Sequence, residues 1–132
     1  MAPRGDTQLA EVWCEALAGK DTPAIRALLD ETSQLHMPGR SGLDGDYQGG
    51  EAILGLLGRM AVLTDGTLQF SRSEVLTAND ATIVMCGRVS ATRRGKRFDA
   101  ATVHVLTLEH GAIREAWVFH QNQDQVDDFW TA

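Results

Sequence analysis

A chain of 132 residues, 43% of them hydrophobic, is long enough to bury roughly 68% of its unfolded surface as one domain, 1–132, without a metal or a disulfide to staple it. Its net charge of −6 argues against general nucleic-acid binding, which needs a positive stripe along the phosphates. The start MAPRGDTQ has no apolar core and no run of 18 apolar residues occurs, so neither a signal peptide nor a membrane span is expected; Cys14 and Cys86 have no metal-ligand spacing and read as small buried residues of a cytoplasmic protein.

In chain order, Asp6 or Thr7 caps a first helix in which Leu9, Val12, Trp13, Ala16 and Leu17 recur at helical spacing up to Gly19. Thr22-Pro23 opens a short second helix, antiparallel to the first, with Ile25, Leu28 and Leu29 on one side. Leu35-His36-Met37 is extended and is halted by Pro38, because the residue before proline is pushed out of the α region. Residues 39–50 hold five glycines and are predicted to be one long loop, a lid or binding loop rather than a plain connector. The loop lacks the GxGxxG and GxxxxGK[ST] forms that cradle phosphate. Glu51 opens a third helix with Ile53, Leu56, Leu57 and Met60 on one face.

From Thr67 the period changes to two. Residues 67–77, 81–92, 97–109 and 112–121 read as four strands, joined at Ala78-Asn79-Asp80, Arg94-Gly95 and His110-Gly111. The basic cluster Arg93-Arg94-Gly95-Lys96-Arg97 reads as a solvated hairpin tip. A polar run from Gln121 to Gln125 ends the last strand, and Val126, Phe129 and Trp130 then return apolar surface to the body. Helices first and strands after predict an α+β fold in which a curved antiparallel sheet wraps around helices as a cone with an internal pocket. The other face, with Val103, Val105 and Val118, calls for a symmetric homodimer.

The stretch LHMPGRSGLDGDYQGGEAI from Leu35 to Ile53, together with Trp117 and the closing Asp127-Asp128-Phe129-Trp130, resembles the SnoaL-like branch of the nuclear transport factor 2-like superfamily. The resemblance implies the cone fold over nearly the whole chain. It leaves the reaction open, since that superfamily includes polyketide cyclases, ketosteroid isomerases, dehydratases, epoxide hydrolases and non-catalytic proteins. This chain departs from the cyclases where they carry a basic aspartate near the end of the last strand: here the order is His120, Gln121, Asn122, Gln123, with Asp124 the first acid. The first helix also lacks the tyrosine of ketosteroid isomerases, since Tyr47, the one tyrosine, falls in the loop.

His104 shares a strand face with Thr102, Leu106 and Leu108. An imidazole among aliphatic neighbours is desolvated and neutral at pH 7, which suits a general base; the alternative is a core histidine bonded to a backbone carbonyl. His36, at the mouth of the loop, is the expected second member of an acid/base pair. Strict alternation along the last strand turns Trp117 and Phe119 inward as walls for a flat ligand and His120 outward, unless a bulge intervenes. Trp13, Met60 and Met85 are further lining candidates, with Tyr47 in the loop. Gln121 and Asn122 are candidates to orient a ligand carbonyl. Asp99 has the wrong parity to join His104. The expected activity is cofactor-free, metal-free general acid/base catalysis (cyclase, isomerase, dehydratase or hydrolase) on a small apolar metabolite such as a polyketide or terpenoid. The alternative is a non-catalytic homodimer that binds a small ligand, and a third possibility is a purely structural dimerisation domain whose pocket its own side chains fill.

Overall fold

The computed structural model describes residues 9, 12–13, 22–79 and 81–131. Of the first predicted helix, Leu9, Val12 and Trp13 are helical and Leu9 and Trp13 buried; its other residues, Cys14 among them, lie outside the described residues, as does Asp80. The remaining elements are α1 (Thr22–Arg26), β1 (Gln34–Met37), β2 (Gly45–Gln48), α2 (Gly50–Leu63), β3 (Gln69–Asn79), β4 (Thr82–Arg93), β5 (Lys96–Glu109), β6 (Ala112–His120) and α3 (Gln123–Trp130).

The strands form one curved six-stranded sheet in the order β2-β1-β6-β5-β4-β3. The meander β3 to β6 is antiparallel as predicted, whereas β1 joins it parallel to β6, with Leu35 opposite Ala116. The predicted long loop is corrected: it contains β2, which pairs antiparallel with β1 from Met37↔Gly45 to Gln34↔Gln48. Glycines at Gly45 (φ 138°) and Gly49 (φ 91°) bracket this strand and lower its apparent propensity.

One face of the sheet is covered by α2, whose Ile53, Leu56, Leu57 and Met60 are buried because they recur at helical spacing. They meet an inner sheet face that includes Ile83, Met85 and Val89 of β4 and Leu106 of β5. The tail closes the core. Val126, Phe129 and Trp130 are buried on α3, with the Phe129 ring 4.6 Å from Phe98 and 5.0 Å from Trp130.

Part of the basic cluster is not solvated. Arg93 is buried and its Nη1 donates to the Phe129 carbonyl (3.1 Å), while Lys96 Nζ donates to the carbonyls of Asp128 and Thr131, each at 3.1 Å. The last carbonyls of a helix have no partner within it and carry partial negative charge, so the β4–β5 hairpin supplies the cations that α3 lacks.

One irregularity decides which side chains reach the interior. On β5 Leu108 pairs with Ile113, but its neighbour Thr107 pairs with Glu115, so Arg114 is an extra residue on β6. Thr107 Oγ1 accepts the Glu115 N–H at 3.1 Å and secures the bulge. A one-residue insertion reverses the facing of everything beyond it. Ile113 is inward, and after the bulge Ala116 and Val118 are buried while Phe119 is 52% exposed. The expected orientations of Trp117, Phe119, Val118 and His120 are thereby corrected: the first two face outward, the last two inward.

Candidate functional site

Between α2 and the inner sheet face lies a cavity walled by nine apolar side chains and two histidines. Leu35 and Met37 come from β1, Leu56, Leu57 and Met60 from α2, Leu68 from just before β3 and Phe70 from its start; Val89, His104, Val118 and His120 complete it. Its free volume is about 30 Å3, room for about two waters. A larger guest must displace lining side chains, and Met37 and Met60 are the ones built to adapt.

His104 is 3% exposed and is held from behind by Trp13, whose Nε1–H donates to His104 Nδ1 at 2.8 Å. The indole can only donate, so Nδ1 is the acceptor and the ring proton of the neutral form sits on Nε2. Among the described residues no hydrogen-bond partner meets Nε2. Phe70 lies 5.1 Å away, ring to ring, over Gly87, where a Cβ would overlap the Ser71 carbonyl oxygen and come within 3.1 Å of the Phe70 ring. Burial, and then the neighbouring His120, pull the His104 pKa down to about 3. The Trp13 bond engages the lone pair that a general base would use and leaves the Nε2–H as the free donor of the neutral ring. Among the described residues its hydrogen-bond partner is this indole and not a backbone carbonyl.

His120 is fixed by α3. Gln123 Nε2 donates to Asp127 Oδ1 at 3.0 Å, which turns its amide oxygen toward His120 Nδ1 at 3.1 Å. An amide oxygen accepts only, so His120 carries its proton on Nδ1 and keeps the Nε2 lone pair for the cavity it lines. Burial lowers its pKa, against the opposing pull of the Gln123 bond and the Asp127 charge, and the ring is neutral at pH 7. The inward turn follows from the bulge at Arg114, which the register of β5 against β6 shows.

The other candidates lie elsewhere. His36 faces outward: its ring stacks on Trp117 (5.4 Å, 25°), with Nδ1 2.7 Å from Asp46 Oδ1 and Nε2 2.9 Å from Glu115 Oε2. Bonding through both nitrogens to carboxylates needs both protons, and these bonds, that to Asp46 foremost, raise its pKa. The sheet therefore separates His36 from His104, and the two histidines that line the cavity are His104 and His120. Tyr47 donates its hydroxyl to the Leu43 carbonyl at 2.8 Å and braces the turn before β2. Met85 is fully buried directly opposite His104 on β4 but is not part of the cavity wall. Gln121 and Asn122 are exposed, Asn122 being the left-handed residue (φ 57°) that precedes α3. Of the expected lining residues, Met60 is in the wall and Trp13 stands behind it. Asp99 faces away, as its parity predicts, and pairs with Arg88 at 2.9 Å.

These histidines pull stability in opposite directions with pH. His36 has a raised folded pKa, so its contribution is full below the unfolded value of about 6.5 and is lost as pH rises through the folded one. His104, lowered to about 3, contributes fully above about 6.5, and that contribution drains away as pH falls toward about 3. Thermal unfolding should therefore give a melting temperature that peaks near neutrality. His36→Gln should flatten the alkaline limb and His104→Gln the acid one; limbs unchanged by either variant would contradict these assignments.

Residues 10–116 match the sequence profile of the SnoaL-like domain. The chain is 25% identical over 130 residues to protein Rv0034 of Mycobacterium tuberculosis H37Rv, covering 98% of this chain and 99% of that one. Among solved structures it is similar to Bal32a from a soil-derived mobile gene cassette, with a TM-score of 0.91, 28% identity, and 96% and 97% of the two chains covered. An NTF2-like protein of Burkholderia pseudomallei gives a TM-score of 0.83 at 19% identity, with 97% and 98% covered. Among the described residues no helix is long and apolar enough to cross a membrane, and no group of three or more His, Cys, Asp or Glu is placed to hold a metal.

Proposed function

The chain belongs to the SnoaL-like domain family, and on that premise we propose that it is a cofactor-free proton-transfer catalyst acting on a small, largely apolar carbonyl compound. One observation carries this reading. Trp13 and Gln123 each occupy the Nδ1 of one cavity histidine, which leaves one donor, His104 Nε2–H, and one acceptor, His120 Nε2, in an apolar chamber. His120 takes the proton from the carbon next to the carbonyl, and the C–H electron pair becomes the C=C bond of an enolate. His104 stabilises the new oxyanion by donation, which is worth most where water is excluded. Return of the proton to a different carbon is an isomerisation, and attack of the enolate carbon on a second carbonyl is a cyclisation. A polyketide or terpenoid ligand, as the sequence suggests, requires the methionine wall to open.

The second reading, a non-catalytic small-ligand-binding protein, is favoured by the end of the last strand, where His120, Gln121, Asn122 and Gln123 stand and the cyclases carry a basic aspartate. Both readings place the chain, as one domain in the cytoplasm, in a homodimer formed through the outer face. There Trp117, Val103 and Val105 are half-buried and Phe119 and Leu76 exposed, a patch that water does not favour. Sedimentation should give a dimer at micromolar concentration and Phe119→Glu a monomer; a monomeric native chain would remove the dimer.

Cyclopentanone in D2O is a suitable probe of catalysis, because loss of its α-proton signal reports proton removal from carbon whatever follows. The catalyst should speed this loss over buffer. No acceleration, across a panel of small ketones that do bind by thermal shift, would leave the binding reading standing.

A further inference from the structure

We infer that Gln123 and Asp127 are positioning residues that lock His120 with its proton on Nδ1, and that the missing side chain of Gly39 provides the space in which they do so. For its importance to function this rests on the reading of His120 as proton acceptor; its geometry stands apart from that reading.

An unrestrained imidazole prefers its proton on Nε2, which would leave the lone pair on Nδ1, the nitrogen His120 turns to α3. A fixed acceptor at Nδ1 is therefore needed to keep the lone pair for the cavity. A glutamine alone is ambiguous, since its amide can present either its oxygen or its NH2 group. Asp127 removes the ambiguity: an ionised carboxylate only accepts, so the NH2 group must face it (3.0 Å) and the oxygen must face the ring (3.1 Å). The spacing is supplied locally. Asn122, with φ 57°, turns the chain back sharply after β6, which returns Gln123 to His120, and Asp127 follows one helical turn later. An amide between the carboxylate and the imidazole also keeps the negative charge one step from the ring, where directly bonded carboxylates would raise the pKa, as they do at His36.

Gly39 covers this pair from the β1–β2 connection. At φ 106°, a conformation that favours glycine, a Cβ here would overlap the Asp127 carboxylate and come within 2.7 Å of Gln123 Nε2. Among the described residues, the charged and titratable groups that act on His120 are Asp127 on α3 and His104 on β5; next to Gly39 and Gln123 in the chain, Arg40 and Asp124 form an exposed pair at 3.9 Å.

A plain helix pair at i, i+4 would explain the Gln123–Asp127 bond without any role for it. The ring tautomer separates the two accounts. In protein labelled with 15N-histidine, two-bond proton–nitrogen correlation identifies the protonated nitrogen, and His120→Gln assigns the signals. Native His120 should show the neutral Nδ1–H pattern at pH 7. Gln123→Leu should move it to the Nε2–H pattern, and Asp127→Asn and Gly39→Ala should each give a mixture. Gln123→Glu should keep the proton on Nδ1 and raise the His120 titration midpoint, and it decides the matter if the leucine variant fails to fold. A native Nε2–H pattern, an unchanged pattern in Gln123→Leu, or an unmoved midpoint in Gln123→Glu would overturn the inference. If the tautomers behave as expected while His120→Gln leaves ketone exchange untouched, the lock stands and the catalytic reading falls.

Discussion

Replacing His120 with glutamine is expected to slow removal of ketone α-protons by roughly 10² to 10⁴-fold, the usual worth of a positioned base. The fold should tolerate the change. Glutamine can still hydrogen-bond toward α3, but an amide has no basic lone pair, so the variant removes proton uptake and little else. His104→Gln is the informative contrast. It can keep a donor for the oxyanion, so its loss should not exceed the roughly 10² to 10³-fold measured when a single oxyanion donor is removed. It also disturbs the partner of a buried indole N–H, which predicts a stability cost of about 1–3 kcal/mol that His120→Gln does not share. The two variants together test the assignment of roles. If His104→Gln abolished exchange and His120→Gln did not, His104 would be the base after all, and Trp13 could not be occupying its lone pair during turnover. Initial rates of signal loss in D2O, with melting temperatures alongside, decide this.

The helical face of α2 and the alternation along β5 were legible because each is a long, regular pattern. Parity alone placed His104 inside among Thr102 and Leu106, and the same parity turned Asp99 to the outside. The last strand was misread by one residue. Ile113 is followed by two polar residues before Ala116, and nothing in the composition tells a bulge at Arg114 from a strand with its polar face at Glu115; the register of β5 settles it. That single residue exchanged the contribution of β6 to the candidate site, sending Trp117 and Phe119 out and bringing Val118 and His120 in. The outward position of His36 was hidden for a related reason. It lies on a four-residue strand whose pairing partners, β2 and β6, are remote or disguised by glycines, so no local pattern stated which face it takes. The roles of Trp13 and Gln123 could not be read at all, because each depends on a contact between separate elements that decides a tautomer. Tautomers belong to hydrogen-bond geometry, and sequence periodicity carries no signal for them.

Truncating Phe129 to alanine is expected to cost about 3–5 kcal/mol, against a total stability of about 5–15 kcal/mol for a domain of this kind. The ring is 2% exposed and sits between Phe98 and Trp130, so its removal leaves a cavity that two other aromatic rings border. At about 3–5 °C per kcal/mol for a chain of this length, the melting temperature should fall by roughly 10–20 °C. Deleting α3 outright should cost more, because Arg93, 8% exposed as a residue, would lose the Phe129 carbonyl that accepts from its guanidinium, and a buried cation without its acceptor carries a heavy desolvation cost. The loss would reach the cavity as well. Phe129 lies on the same short helix as Gln123 and Asp127, and the inner end of that helix is what holds His120 in its tautomer. In Phe129→Ala, examined well below its melting temperature, the His120 ring signals should therefore broaden or mix while those of His36, on the far side of the sheet, stay as they are. A melting temperature within about 2 °C of the native value would mean that the tail does not belong to the core, and α3 could not then be the rigid support that the site requires.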